Sequence, residues 1–181
     1  IGDEVVIKRA RDVIPKIIGL HRPGSNRRLF QMPEHCPSCN SPITQLDDEV
    51  AFRCLNLDCP DQLKGRLKHY CSRGALDIRG LGTKLVNVLV DNHLVSRISD
   101  LYSLTPSDLE PCDRMGPKNA QQIVSNIQKS KTAPLSKVLF GLGIHFVGQR
   151  AAECLAQAFL SFAALSSATE EDLLQIPEIG S

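Results

Sequence analysis

The apolar positions of this 181-residue chain change their period once. Near the start they come in short groups, Val5 and Ile7, then Val13, Ile14, Ile17 and Ile18, set around a charged link from Lys8 to Asp12. This pattern predicts two short strands. His21 to Gln31 contain Arg, Pro and Gly without periodicity and read as a loop. Val50 and Phe52 alternate with Ala51 and Arg53, as a short strand would. From Leu63 onward the period is helical, with Leu63, Leu67 and Tyr70 on one face and Lys64 with Lys68 on another. Those lysines read equally as a solvated face or as part of a basic surface. The expectation is a mainly α chain with a β lead.

Between the two regimes lie Cys36-Pro37-Ser38-Cys39 and then Cys54 and Cys59. Two close cysteine pairs at this interval suit a tetrahedral zinc site, and two disulfides are the alternative. So short a segment has almost no core of its own, so metal loss should unfold it. The remaining cysteines, Cys71, Cys112 and Cys154, fall in helical patterns and read as small buried hydrophobes. An odd total of seven favours a reducing compartment over a secreted disulfide scaffold.

Aligning glycines exposes a repeat in the helical part. Leu81-Gly82-Thr83-Lys84, Met115-Gly116-Pro117-Lys118 and Val147-Gly148-Gln149-Arg150 share an apolar residue, Gly, a variable residue and a base, and Ile179-Gly180-Ser181 begins a fourth copy. The glycines stand 34, 32 and 32 residues apart, which marks a structural repeat. Apolar-periodic segments flank each one: Leu85, Val88 and Leu89 follow the first, Ala120, Ile123, Val124 and Ile127 the second, and Ala151, Cys154 and Leu155 the third. The unit is helix, glycine hairpin, helix. Here Gly would supply a turn with φ > 0 and let a phosphate approach the backbone, which the N–H groups of the next helix and the base then hold. A single Gly-x-Lys would equally be an unliganded helix cap. Two residues before each glycine stand Gly80, Arg114, Phe146 and Glu178, so the copies are not equal.

Charge sharpens this division. Residues 1–33 carry seven Lys/Arg against three Asp/Glu, residues 34–62 one against six, and residues 64–84 six Lys/Arg against Asp77 alone. Two basic surfaces flanking an acidic lobe are compatible with nucleic acid on either side of it. No apolar run long enough for a membrane span and no leader-like start are visible, and a soluble, cytoplasmic protein is expected.

Taken in order, three blocks resemble the C-terminal part of bacterial NAD-dependent DNA ligases: Arg9-Ala10-Arg11-Asp12-Val13-Ile14-Pro15, similar to an R-A-G-D-V-I-P segment of the family's oligonucleotide-binding (OB) barrel; the four cysteines; and Leu67-Lys68-His69-Tyr70 with Asp77-Ile78-Arg79-Gly80-Leu81-Gly82, leading into tandem helix-hairpin-helix units. The resemblance implies three parts: the end of an OB-fold with a linker over 1–32, a four-cysteine zinc finger over 33–62, and a helix-hairpin-helix domain over 63–181 whose fourth hairpin is cut short. It further implies nick sealing in replication and repair, in a bacterial, nucleoid-associated protein. NAD and magnesium would act only through an adenylation domain. The Lys-x-Asp-Gly motif of that domain is absent here, so this segment alone should be inactive, with no catalytic residue.

Its implied task is to clasp nicked double-stranded DNA as a monomer, without sequence specificity. Arg9, Val13 and Ile14 would lie on the OB surface, Gly80, Gly82, Lys84, Gly116, Lys118, Gly148 and Arg150 would grip the backbone, and Cys36, Cys39, Cys54 and Cys59 would hold structural zinc. Val13 and Ile14 could equally line a barrel interior, and Arg11 departs from the family's Gly. The last helical pattern, with Leu173, Leu174 and Ile176, should lack part of its cover. The competing reading is a stand-alone zinc-containing helix-hairpin-helix module, for DNA or for protein interaction, without catalysis.

Overall fold

A computed structural model describes residues 2–10, 14–45, 50–113 and 115–180. The chain opens as an antiparallel ribbon of β1 (Glu4–Ala10) and β2 (Ile14–Arg22), pairing Val5 with Leu20, Ile7 with Ile17 and Ala10 with Ile14. Both strands are longer than their apolar groups suggest. Lys8 and Arg9 lie within β1, not in a link, because cross-strand hydrogen bonds hold a strand whatever its side chains. Arg11, Asp12 and Val13 lie outside the described residues. Ile7, Ile14, Ile17 and Ile18 are all exposed. A salt bridge from Arg27 to Asp3, at 2.9 Å, ties the following loop back to the ribbon.

Next, β3 (Ile43–Gln45) pairs antiparallel with β4 (Phe52–Cys54), opposing Ile43 to Cys54 and Gln45 to Phe52. Only β4 was legible in the apolar pattern. Helix α1 (Pro60–Tyr70) begins directly after Cys59, with Pro60 at its first position, where a missing N–H costs nothing. It therefore starts ahead of the expected 62/63 division. Leu63, Leu67 and Tyr70 are buried as their spacing requires. Lys64 is not a solvated side chain, since it pairs with Asp61 at 3.3 Å and with Asp91 at 2.7 Å, on the following helix.

Then come α2 (Thr83–Asp91), a 3₁₀ segment (Ile98–Ser103), α3 (Pro106–Leu109), α4 (Pro117–Lys129), α5 (Leu135–Gly141), α6 (Gln149–Phe159), α7 (Phe162–Ser166) and α8 (Glu170–Leu174). They enclose two cores. The larger runs from Leu63 to Ile127, around Leu67, Val86, Leu89, Leu101 and Leu109; the smaller packs Leu139, Ala152 and Leu155, with Leu165, Leu173 and Ile179 at its edge. Phe140 touches both, and α1 packs on α5. Polar ties join the repeats: Tyr70 to Tyr102 at 2.8 Å, Tyr102 to Ser130 at 3.0 Å, and His69 Nε2 to the Phe140 carbonyl at 2.7 Å.

On α2 the buried residues are Val86, Leu89 and Val90, so the apolar face is rotated from the expected Leu85, Val88 and Leu89. Helices α4 and α6 bury Ala120, Ile123 and Ile127, and Ala151, Cys154 and Leu155, as expected, while Val124 is only half-buried. Cys71, Cys112 and Cys154 are buried, although Cys71 caps α1 and Cys112 lies in the turn after α3. At the end of the chain Ile176 is buried, Leu173 is half-buried and Leu174 is exposed. Among the described residues no helix is long and apolar enough to cross a membrane.

Candidate nucleic-acid interface and metal centre

The metal centre is built from two knuckles. In the first, the Cys36 N–H donates to the Ser41 carbonyl and the Asn40 N–H to the Cys36 carbonyl, both at 2.8 Å, and Asn40 takes a left-handed φ of 56° to close the loop. The second runs from the end of β4 to the start of α1, where the Asp58 N–H donates to Asn56 Oδ1 at 3.0 Å. Asn56 Nδ2 then donates to Ser41 Oγ at 3.0 Å and pins one knuckle to the other.

The four sulfurs of Cys36, Cys39, Cys54 and Cys59 lie within 4.8 Å of one another. Cys36 and Cys59 are 3.9 Å apart, and Cys39 and Cys54 3.5 Å. A zinc–sulfur bond of about 2.3 Å gives a tetrahedron with edges of about 3.8 Å, so the donor set fits zinc in both size and chemistry. The Ser41 hydroxyl and N–H hold the Cys39 thiol down to about 6. For Cys54 the Asn56 N–H pulls downward, but burial and hydrogen bonds shared with the other sulfurs outweigh it and push that thiol up to about 12. Four thiols cannot all ionise at neutral pH in so small a space unless a cation compensates them.

The hairpins share one geometry. Leu81, Met115, Val147 and Ile179 each donate an N–H to the carbonyl three residues back, on Ile78, Cys112, Ile144 and Ile176, at 3.3, 3.1, 3.0 and 3.2 Å. The third residue of each turn is Gly80 at φ 96°, Arg114, Phe146 at φ 62° and Glu178 at φ 71°, with Arg114 outside the described residues. A left-handed third residue is the requirement of a type II turn. The expectation that Gly82, Gly116 and Gly148 supply φ > 0 is therefore corrected. Their φ values are −81°, −86° and −75°, ordinary extended backbone, and the left-handed residue sits two positions earlier.

What these glycines do is cap helices. Gly82, Gly116 and Gly148 are the N-caps of α2, α4 and α6, their carbonyls accepting at 3.0 Å from the N–H of Val86, Ala120 and Ala152. A Cβ at any of them would meet nothing within 4 Å. Neither φ nor internal crowding thus demands Gly there, and what the missing Cβ frees is the outside of the helix end. By contrast, a Cβ on Gly80 would stand 2.5 Å from Ile123 Cγ1, so Gly80 is required by packing.

The helix ends differ in the same sense. No side chain caps α2, α4 or α6, and none has an acid in its first turn. Helices α3, α7 and α8 are closed by their own side chains: Asp108 accepts from the Thr105 N–H at 2.8 Å, the Ala164 N–H donates to Ser161 Oγ at 3.1 Å, and Thr169 exchanges bonds with Asp172, whereas α1 and α5 also start without a side-chain cap. Uncapped N–H groups and the positive end of the helix dipole attract anions. Lys84, Lys118 and Arg150 occupy the second position of these helices and are exposed. Arg150 lies 3.8 Å from Glu153, and among the described residues Lys84 and Lys118 have no ion-pair partner. Arg9 and Ile14 are exposed at the far end of the ribbon, and Val13 lies outside the described residues. Among the described residues the ribbon does not pack on the helices to any extent.

Two features escaped the sequence reading. The pairs Thr105/Asp108 and Thr169/Asp172 stand at capping-box spacing, a local signal that would have marked these helix starts, and they contrast with the bare hairpin glycines. Among the described residues, a cavity of about 390 Å³ between the second knuckle and the third hairpin is lined by Arg53, Arg66 and His145 together with Asn56 and Gln62. No linear pattern joins residues so far apart.

Residues 35–60 match the NAD-dependent DNA ligase C4 zinc finger domain, residues 72–129 the SAM-like helix-hairpin-helix tandem, and residues 137–181 the helix-hairpin-helix motif. The two helical matches coincide with the two cores. The chain belongs to the NAD-dependent DNA ligase family. It is 48% identical over 180 residues to a DNA ligase of Solibacter usitatus and 42% identical over 181 residues to one of Bacillus subtilis, covering 99% and 98% of this chain. The chain spans about a quarter of those ligases, 27% in each case. This ligase segment thus carries the family's zinc finger, with its four sulfurs arranged for structural zinc, and the helical repeats.

Proposed function

We propose that this chain is the DNA-gripping C-terminal segment of a DNA ligase that seals nicks in replication and repair. The observation that carries the reading is the repeated opening of α2, α4 and α6, where a glycine cap with free space outside it precedes uncapped N–H groups and Lys84, Lys118 or Arg150. Each of these helix ends holds one backbone phosphate, so binding ignores base sequence and weakens steeply with salt. Gly80 shapes the first hairpin rather than touching DNA, while Arg9, Val13 and Ile14 approach the duplex from the ribbon.

Cys36, Cys39, Cys54 and Cys59 hold one zinc ion, which supplies a rigid four-way link and no chemistry. The parts are the ribbon with its linker over 1–32, the zinc finger over 33–62, whose last three residues already open α1, and the helical domain over 63–181. NAD, magnesium and the adenylated lysine belong to the rest of the ligase, which works as a monomer in the bacterial cytoplasm, on the nucleoid. The test is binding of the zinc-loaded chain to nicked and intact duplexes over a salt series. A steep loss of affinity with salt and no dependence on base sequence are expected. No measurable binding at low salt overturns the reading.

A further inference from the structure

The third hairpin holds an arrangement that neither its fold nor a phosphate grip requires. Its turn needs a left-handed third residue, a position taken by glycine in the first hairpin and here by Phe146 at φ 62°. A bulky side chain at positive φ is strained. The strain is not offset inside the chain, because Phe146 is 87% exposed. Among the described residues its ring contact is His145, the preceding residue in the turn, with centroids 3.9 Å apart and planes tilted by 49°. Ile144, one residue further back, is exposed as well. An apolar ring thus stands in water, on a strained backbone, two residues before the Gly148 cap of α6.

We infer that Phe146, backed by His145, is a stacking wedge for a nucleobase, pressed into a base step beside the phosphate held at the start of α6. Aromatic rings recognise bases through their faces, whatever the sequence, and apolar side chains enter base steps of duplexes that bind from one side. At a nick the continuity of stacking is already broken, so opening a step there costs least. The wedge rests on the DNA-gripping function proposed above and adds to it an apolar contact that salt does not screen.

The test uses Phe146→Gly in the full 181-residue, zinc-loaded chain, with Phe146→Asn as a second variant, since Gly and Asn both accept left-handed backbone. Relief of strain should leave the melting temperature unchanged or higher. Affinity for nicked duplex should fall by about five- to a hundredfold, the range of one lost aromatic–base stack. The salt slope should stay that of the parent. In duplexes carrying 2-aminopurine at successive positions around the nick, the parent should brighten the base it unstacks, and both variants should not.

Unchanged affinity in both variants, or equal 2-aminopurine emission with parent and variants, overturns the wedge. The hairpin grip survives that outcome if Lys84→Ala with Lys118→Ala still lowers the salt slope. Absence of DNA binding by the parent overturns grip and wedge together.

Discussion

Replacing Gly82 by Asp separates the stability of this fold from its grip on DNA. Gly82 caps α2 at φ −81° and ψ 174°, and a Cβ there would touch nothing within 4 Å, so aspartate enters without strain. Its carboxylate can then accept from the bare N–H groups of the first turn. A good cap gains a few tenths of a kcal/mol over Gly, and a charge on the helix dipole adds about 0.3–1 kcal/mol, so the fold should gain about 0.5–1.3 kcal/mol. For a domain of this size that is a rise of about 1–5 °C in melting temperature, measured by circular dichroism on the zinc-loaded chain.

The same carboxylate occupies the proposed phosphate site. Losing one charge-assisted contact of about 1.5–3 kcal/mol weakens binding to a nicked duplex by about ten- to a hundredfold, read by fluorescence anisotropy at fixed salt. Ser161→Asp, at the cap of α7, adds the same charge away from the hairpins and should leave affinity unchanged. A stabilised Gly82→Asp chain with parental affinity would refute the phosphate at this helix end, and a lowered melting temperature would refute the cap geometry.

Lys84→Ala combined with Lys118→Ala should make the slope of log affinity against log salt shallower by about 1.8, at 0.9 per phosphate contact; an unchanged slope would detach both lysines from phosphate. Gly80→Ala should destabilise the chain by about 2–5 kcal/mol in chemical denaturation, from a left-handed L-residue and from overpacking against Ile123, and a loss below about 1 kcal/mol would contradict the packing argument. One zinc per chain should be released by chelation, with Cys36, Cys39, Cys54 and Cys59 becoming reactive to thiol reagents. Cys71 should stay inert in the native chain, because burial pushes its thiol up to about 12 and keeps it protonated at neutral pH; rapid native labelling of Cys71 would count against that burial.

What the sequence discloses here depends on whether a feature is local. The four cysteines are legible because ligand spacing is written into two short loops, and the repeat because equivalent turns recur at a fixed interval. The residue carrying the left-handed backbone was misplaced by two positions, since Gly serves both turns and caps and only the dihedrals tell which. Strand β3 was missed because three residues hold no readable alternation, and β1 was read too short because exposed strands need none. The rotation of the buried face of α2 depends on partners such as α1, which no single helical pattern contains. Phe146 was visible as a departure from glycine, but its strain and exposure exist only in three dimensions.

Cys59 supplies a sulfur to the four-sulfur cage, while its carbonyl accepts the Leu63 N–H at 2.9 Å and so opens α1. No spacer separates lobe from helix, and α1 in turn carries Leu63, Leu67 and Tyr70 into the larger core. The joint has no slack: any rotation of the lobe must bend or unwind a helix. A single glycine inserted between Cys59 and Pro60 would leave every zinc ligand and every hairpin intact, yet free the lobe to turn against the helical domain and lengthen the reach between them.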